Sequence, residues 1–282
     1  MSEPQPTPPT GQDTPWPPLR EVIARHDLAA KRSLGQHFLL DGNLTARIVR
    51  EAGELAGRHV IEVGPGPGGL TRALLASNAA SVTVVEIDRR AVAAMRELEA
   101  LAGGRLRVVE ADALRLDLPA LVPAPRVLVA NLPYNIASPL LVGWLRQAAA
   151  FERLTLMFQQ EVAERICAPP DTEDYGRLGV LAQWTCEADI VLRLPPTAFV
   201  PPPKVWSAVV GLAPRAVQPP PALFARMERL TAAAFGQRRK MLRGALKGLG
   251  GEALLARAGI AGERRAETLS VVEFDRLVRL LD

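Results

Sequence analysis

Sulfur, imidazole and ammonium groups are all scarce in this chain. Its 282 residues include two cysteines, three histidines and four lysines, the other basic residues being 30 arginines. Two cysteines, Cys167 and Cys186, can build neither a disulfide framework nor a four-ligand zinc site, so both are expected as small apolar filler in a reducing compartment. Aromatics make up only 5% of the chain, and the net charge is only +4. That total argues against a histone-like polycation. The N-terminus is polar and Pro-rich, without the basic start and apolar stretch of a secretory signal. The one uncharged run long enough to span a bilayer, 127–145, is broken by Asn131, Pro133, Asn135, Ser138 and Pro139, which divide it into strand, loop and helix. The expectation is a cytoplasmic protein with no membrane contact and no metal.

What is present is an ordinary globular composition, 48% hydrophobic and 23% charged, of a length that suggests one large domain and one small. Residues 1–18 read as a flexible Pro-rich tail. From residue 59, short β-branched or Leu-rich runs alternate with helical stretches. The runs His59–Val63, Val82–Ile87, Leu106–Glu110, Val127–Ala130 and Leu154–Phe158 read as buried parallel strands. Leu70–Ala76 and Pro139–Ala148 read as helices, the second with Ser138 as N-cap and Pro139 in its first turn. This βαβ rhythm predicts an α/β fold built on a doubly wound sheet. Ile190–Leu194 and Ser207–Leu212, on either side of a proline cluster, predict a closing antiparallel hairpin. Beyond a linker from Pro214 to Pro221 the spacing turns helical, with Leu223, Met227 and Leu230, then Leu242, Leu246 and Leu249. Ser270 and Glu273 form a capping box ahead of Phe274, Leu277, Val278 and Leu281. The predicted boundaries are 19–213 for the α/β domain and 214–282 for a small all-helical one.

The first strand runs into Gly64-Pro65-Gly66-Pro67-Gly68-Gly69, where glycine lets the backbone turn tightly and approach a ligand. Glu86 ends the second strand, where a carboxylate can accept hydrogen bonds from ribose hydroxyls. Gly64, Gly66 and Gly69 also satisfy the G-x-G-x-x-G dinucleotide spacing, so the loop alone is a weak signal, and a turn without any ligand is the plain alternative. Pro65 and Pro67 lack the N–H groups that a pyrophosphate needs. Asp112, at the end of the third strand, reads either as a turn cap or as an acceptor for an exocyclic amine. Together these residues favour S-adenosylmethionine over NAD.

Asn131-Leu132-Pro133-Tyr134 follows the fourth strand at its carboxyl end, where open α/β sheets bind ligands. The bland reading is a turn into the next helix, which leaves the aromatic unexplained. The motif resembles the NLPY signature of N6-adenine methyltransferases. An adenine amine is a poor nucleophile, because its lone pair is delocalised into the ring. An amide oxygen and a backbone carbonyl can accept its two N–H bonds and favour the developing positive nitrogen. Tyr134 can stack on the base. Further stretches follow a set order: Lys31–Leu39, the glycine loop, Tyr175–Leu178, Phe199–Val205, Phe235–Arg243 and Arg265–Ser270. On these, the chain from about residue 20 onward resembles the rRNA adenine N6-dimethyltransferase family in its bacterial small-subunit branch.

That resemblance implies a Rossmann-like class I S-adenosylmethionine-dependent methyltransferase fold with a small C-terminal all-helical domain. It implies a donor site of Gln36, His37, Leu39, Gly64, Gly66, Glu86, Asp112 and Asn131. Asn131, Leu132 and Pro133 would hold the target amine, with Tyr134 and Phe199 sandwiching the base. The family usually has Asn where this chain has His37; an imidazole donating to a carboxylate would make donor affinity pH-dependent near neutrality. The implied substrate is a pair of adjacent adenines near the 3′ end of 16S rRNA in the immature 30S particle, methylated by a monomer. A relative acting on large-subunit rRNA and a non-catalytic assembly or transcription factor remain as alternatives, the intact NLPY favouring an enzyme.

Charge is unevenly distributed. From Pro214 onward there are 13 basic and seven acidic residues, which leaves 21 and 23 before it. Arg238, Arg239, Lys240, Arg243 and Lys247 fall within ten residues without an acid. Arg239, Arg243 and Lys247 are expected on one helical face at i, i+4 spacing. A solvated face is the usual meaning of such a run, but this density favours a surface that follows a phosphate backbone. Lys31, Arg32 and Lys204 would extend it on the catalytic side.

Overall fold

β-Branched residues crowd a helix and fit a pleated sheet, and the runs rich in them form the centre of the molecule. The computed structural model describes residues 16–28, 36–237 and 239–281. In chain order its main elements begin with α1 (Leu19–Arg25), β1 (Phe38–Leu39), α2 (Gly42–Glu51), β2 (His59–Val63), α3 (Gly69–Leu75), β3 (Ser81–Glu86) and α4 (Arg89–Leu101). Next come β4 (Leu106–Glu110), β5 (Arg126–Asn131), α5 (Ala137–Leu145), β6 (Arg153–Gln159), α6 (Gln160–Cys167) and α7 (Arg177–Thr185). Then follow β7 (Cys186–Leu194), β8 (Phe199–Val200), β9 (Ser207–Pro214), α8 (Pro221–Phe235), α9 (Leu242–Ala245), α10 (Gly251–Ala258) and α11 (Val271–Arg279).

The seven-stranded sheet has the order β4-β3-β2-β5-β6-β9-β7. Strands β2 to β6 are parallel, and β9 runs antiparallel between β6 and β7. The expected antiparallel strand is thus present, inserted beside β6 rather than added at the edge. Strand order reverses between β2 and β5, so the connections leaving these two strands diverge and open a crevice at their carboxyl ends. Apolar side chains cover both faces of the sheet, Val60, Val82, Val84, Val127 and Val129 in one cluster and Ile61, Val85, Leu128 and Ala130 in the other.

The structure departs from the sequence reading in three places. First, α5 starts at Ala137, with Ile136 in the cap position and no side-chain cap bond. The Ile136 N–H donates to the Pro133 carbonyl, so the turn after Asn131 itself nucleates the helix, and Ser138 and Pro139 lie inside its first turn. Second, β1 pairs antiparallel with β8, Phe38 with Val200 and Leu39 with Phe199; two-residue strands leave no periodicity to read. Third, residues 242–249 are not one helix. α9 has four residues and a 3₁₀ turn follows over Lys247–Leu249. Gly244, Gly248 and Gly250 weaken helix propagation here, and the Leu242 and Arg243 N–H groups donate to the Arg264 and Gly262 carbonyls instead.

Of the expected N-terminal tail, residues 16–18 fall within the described part, and the Pro17 carbonyl accepts from Arg72 Nη1 at 2.6 Å. At the other end, α8 to α11 share one apolar cluster with α5 and α7, with Trp144, Leu181, Trp184, Phe224, Leu230, Phe274 and Leu277 all buried in it. Trp184 and Phe224 lie 6.0 Å apart, and Trp184 Nε1 donates to Asp275 at 2.9 Å. Because α11 carries this anchor, its start matters. Ser270 and Glu273 form the expected reciprocal capping box, and Arg264 pairs with Glu273. Ser270→Ala should therefore cost about 1 kcal/mol of stability, read as a lower denaturant midpoint with unchanged slope.

Candidate active site

The glycine loop fills the turn from β2 into α3. Gly64, Gly66 and Gly68 all have positive φ, a region costly for other residues. At Gly69 the constraint is contact: a Cβ there would lie 2.3 Å from the Leu39 carbonyl oxygen. The loop's own N–H groups are occupied. Gly64 donates to the Val85 carbonyl and Gly68 to that of Pro65, each at 2.9 Å. Gly66 donates to Glu86 Oε2 at 3.3 Å. With Pro65 and Pro67 carrying no N–H, residues 64–68 offer no free donor for a phosphate.

Glu86 is buried at the end of β3. Its Oε1 accepts from the Ile87 and Asp88 N–H groups at 2.7 and 2.8 Å. Burial pushes its carboxyl above the usual range, while these backbone bonds oppose the shift. Glu62, on β2 beneath the loop, is more deeply enclosed; burial pushes it up to about 8, so it carries its proton at neutral pH. With Glu62 protonated, the cavity floor escapes the repulsion of two adjacent buried carboxylates. Asp112 follows β4, its Oδ1 capping the turn by accepting from the Leu114 N–H at 3.0 Å. The turn role and a place on the cavity wall coexist in this residue.

Asn131 ends β5, and its Nδ2 donates to the His37 carbonyl at 3.0 Å. This bond orients the amide, because a carbonyl can only accept. Asn131 Oδ1 is thereby left as the acceptor. The His37 ring lies 5.3 Å from that of Tyr134, with Nδ1 2.8 Å from the Pro201 carbonyl. Nδ1 must carry the hydrogen, so this ring nitrogen donates to the Pro201 carbonyl and fixes the plane of the imidazole. Tyr134 Oη and Ser207 Oγ are 2.6 Å apart, which ties the tyrosine to the start of β9.

A cavity of about 300 Å³ joins these groups along the crevice. Gln36, His37, Leu39, Gly64, Gly66, Glu86, Asp112, Asn131, Leu132, Pro133 and Tyr134 all line it. Phe199 does not. Its side chain is 2% exposed and packed in the apolar cluster with Leu39, Leu192 and Val209, because its pairing with Leu39 turns it inward. Lys31, Arg32 and Arg238 lie outside the described residues. Arg239, Lys240, Arg243, Lys247 and Lys204 are exposed, and Arg243 pairs with Glu263. The basic residues occupy a turn, a short helix and a 3₁₀ turn, so they do not form the single helical face expected.

Sequence reasoning missed Glu62, Phe38, Ile87 and Leu114, which also line the cavity. A signal existed for three of them. Glu62 is the one acid in an apolar strand, and Ile87 and Leu114 are apolar residues one and two positions after the carboxyl residues Glu86 and Asp112. Among the described residues no group of three or more His, Cys, Asp and Glu could hold a metal, and no helix is long and apolar enough to cross a membrane.

Comparison with known proteins agrees with this geometry. A family model described as ribosomal RNA adenine dimethylase matches residues 28–282. The chain is 60% identical over 268 residues to the ribosomal RNA small subunit methyltransferase A of Gluconobacter oxydans, covering 95% of this chain and 88% of that protein. It is 57% identical over 267 residues to the protein of the same name from Paramagnetospirillum magneticum, covering 94% and 95%. Among solved structures, a dimethyladenosine transferase from Plasmodium falciparum superposes with a TM-score of 0.71 at 26% identity, covering 86% of this chain and 96% of that one. The 23S rRNA methyltransferase ErmE gives 0.63 at 31% identity, covering 87% and 99%. The family match over residues 28–282, together with 57–60% identity to these relatives over nearly the whole chain, places the chain in the ribosomal RNA adenine dimethylase family.

Proposed function

We propose that this chain transfers methyl groups from S-adenosylmethionine to N6 of two adjacent adenines in the 3′-terminal hairpin of 16S rRNA, twice per base, in the assembling 30S particle. The observation that carries the reading is the orientation of Asn131, whose Nδ2 is held by the His37 carbonyl. Its Oδ1 is therefore ready to accept one N–H of the target amine. The Pro133 carbonyl is engaged by Ile136, which makes the Leu132 carbonyl the better second acceptor. With both N–H bonds accepted, the nitrogen lone pair is drawn out of the ring and directed at the donor. Tyr134, braced by Ser207, stacks on the extruded base. Phe199 supports β1 from behind.

S-Adenosylmethionine supplies an electrophilic methyl group on a cationic sulfur. The residues present suit it, since the loop withholds phosphate donors while carboxyl groups stand where hydroxyls and an amine can be met. Glu86 accepts the ribose hydroxyls, Asp112 faces the adenine amine, and Ile87 and Leu114 flank its ring. Gln36, His37, Leu39, Gly64 and Gly66 enclose the remainder. The near-neutral unit 19–213 does the chemistry. The basic helical unit 214–282 holds the RNA through Arg238, Arg239, Lys240, Arg243 and Lys247, with Lys31, Arg32 and Lys204 on the catalytic side. The enzyme acts as a monomer in the cytoplasm, on an unpaired loop whose bases can be splayed out.

The deciding experiment incubates labelled donor with under-methylated 30S particles, 50S particles and free rRNA, then maps the modified base. Label is expected on two neighbouring adenines of the 30S particle; label on 50S particles alone would overturn the assignment. Asn131→Ala should lower turnover by at least about 100-fold, with RNA affinity retained in a filter-binding assay. The raised Glu86 carboxyl makes a pH prediction, because only its ionised form accepts well from two hydroxyls. Its protonation begins at a higher pH than that of an ordinary carboxyl group. On acidification, donor affinity by calorimetry should therefore begin to weaken at a higher pH than an ordinary carboxyl group would allow, whereas Glu86→Gln should bind weakly throughout the titration.

A further inference from the structure

Aromatic residues are few, and almost all are wholly or partly shielded from solvent. Of seven Phe, four Trp and two Tyr, Trp206 is the one in the exposed class, at 49%. It does not stand alone. Val205 beside it and Val200 earlier in the same segment are exposed too, and Lys204 adds a cation two residues away. Leaving a large apolar side chain in water forgoes the gain of burying it, which marks the patch as a contact surface.

Its place in the fold indicates what it contacts. Trp206 immediately precedes Ser207, the residue that hydrogen bonds Tyr134. Its backbone is held on both sides: the Trp206 carbonyl accepts from the Gln160 N–H at 2.9 Å, and Ser207 pairs with Gln159 in the sheet. The start of β9 lies at the same edge as the carboxyl end of β5, two strands away, or about 10 Å at the usual strand spacing. Glu62 and Glu86 sit on β2 and β3 and Asp112 just past β4, on the opposite side of Asn131. Trp206 therefore borders the side from which a polynucleotide reaches the target pocket, within reach of the nucleotide next to the extruded one.

We propose that Trp206 is a stacking platform for the unpaired base that flanks the target adenine, with Lys204 on its phosphate. An indole offers a flat apolar face that any base can cover, and stacking of this kind is largely indifferent to sequence. Trp206 positions the strand so that the next base enters the Asn131–Tyr134 pocket. The inference rests on the methyl-transfer reading of that pocket.

The test compares the full-length chain with Trp206→Phe and Trp206→Ala on under-methylated 30S particles at saturating donor. Trp206→Ala should raise KM for the particle about tenfold, with kcat nearly unchanged, and Trp206→Phe should remain within about threefold of the parent. Donor affinity should be the same in all three. A KM within about twofold of the parent for Trp206→Ala overturns the proposal. So does a fall in kcat alone, which would mean that the residue acts only through Ser207 and Tyr134. A second readout does not depend on turnover: single-stranded oligoadenylate should quench the indole emission of the parent and not that of Trp206→Phe. Equal quenching in both also overturns it. A parent enzyme that quenches with RNA but leaves 30S particles unmethylated would instead defeat the substrate assignment and leave the stacking platform standing.

Discussion

The close approach of two backbones at Gly69 governs the whole site. The Leu39 carbonyl lies where a side chain on residue 69 would be, 2.3 Å from the position of its Cβ. Because that space is empty, β1 can settle against the glycine loop. Its preceding residue then presents a carbonyl to Asn131 Nδ2, and Gly66, earlier in the loop, leaves room for the Phe38 ring. The N-terminal segment, the first βα turn and the fourth parallel strand are thereby held in one arrangement. What this arrangement secures is a single orientation of one amide, with its oxygen turned to accept.

Electrostatics in the crevice follows from the same packing. Two carboxyl groups, Glu62 and Glu86, lie near each other under the loop, and both are raised by burial. Glu62 carries its proton at neutral pH, and Glu86 is held by three backbone N–H groups. Protonation of Glu62 thus spares Glu86 the full repulsion of a buried carboxylate pair. Asn131 and Tyr134, the residues proposed to hold the target base, are neutral. An uncharged acceptor suits chemistry in which the nucleophile needs its lone pair freed and no proton removed before the methyl group arrives.

Most of the strands were legible in sequence because buried parallel strands are short, apolar and β-branched, and the five runs from His59 to Phe158 meet that description. The glycine loop, Glu86, Asp112 and Asn131–Tyr134 were legible because they sit at strand ends, where chain order alone places them on one edge. The pairing of β1 with β8 was not. Residues 38–39 and 199–200 are far apart in the chain, and their partnership turns Phe199 into the core when its motif suggested an open face. The basic segment was legible as composition and misread as geometry, since its glycines and the bonds from 242 and 243 to the 262–264 turn break the helix that the spacing implied.

Residue type and order alone pointed to the candidate groups: an asparagine followed by an aromatic, a loop without phosphate donors, and a basic C-terminal stretch behind a near-neutral one. These are properties of residue type and order, and they survive without coordinates. Tertiary structure decided which of those residues face the same space and in what orientation. It oriented Asn131 through a carbonyl 94 residues away, moved Phe199 out of the cavity, and enclosed Glu62 so that it holds a proton. It also left Trp206 exposed at the rim. Each of these outcomes depends on contact between segments distant in the chain, which no local pattern records.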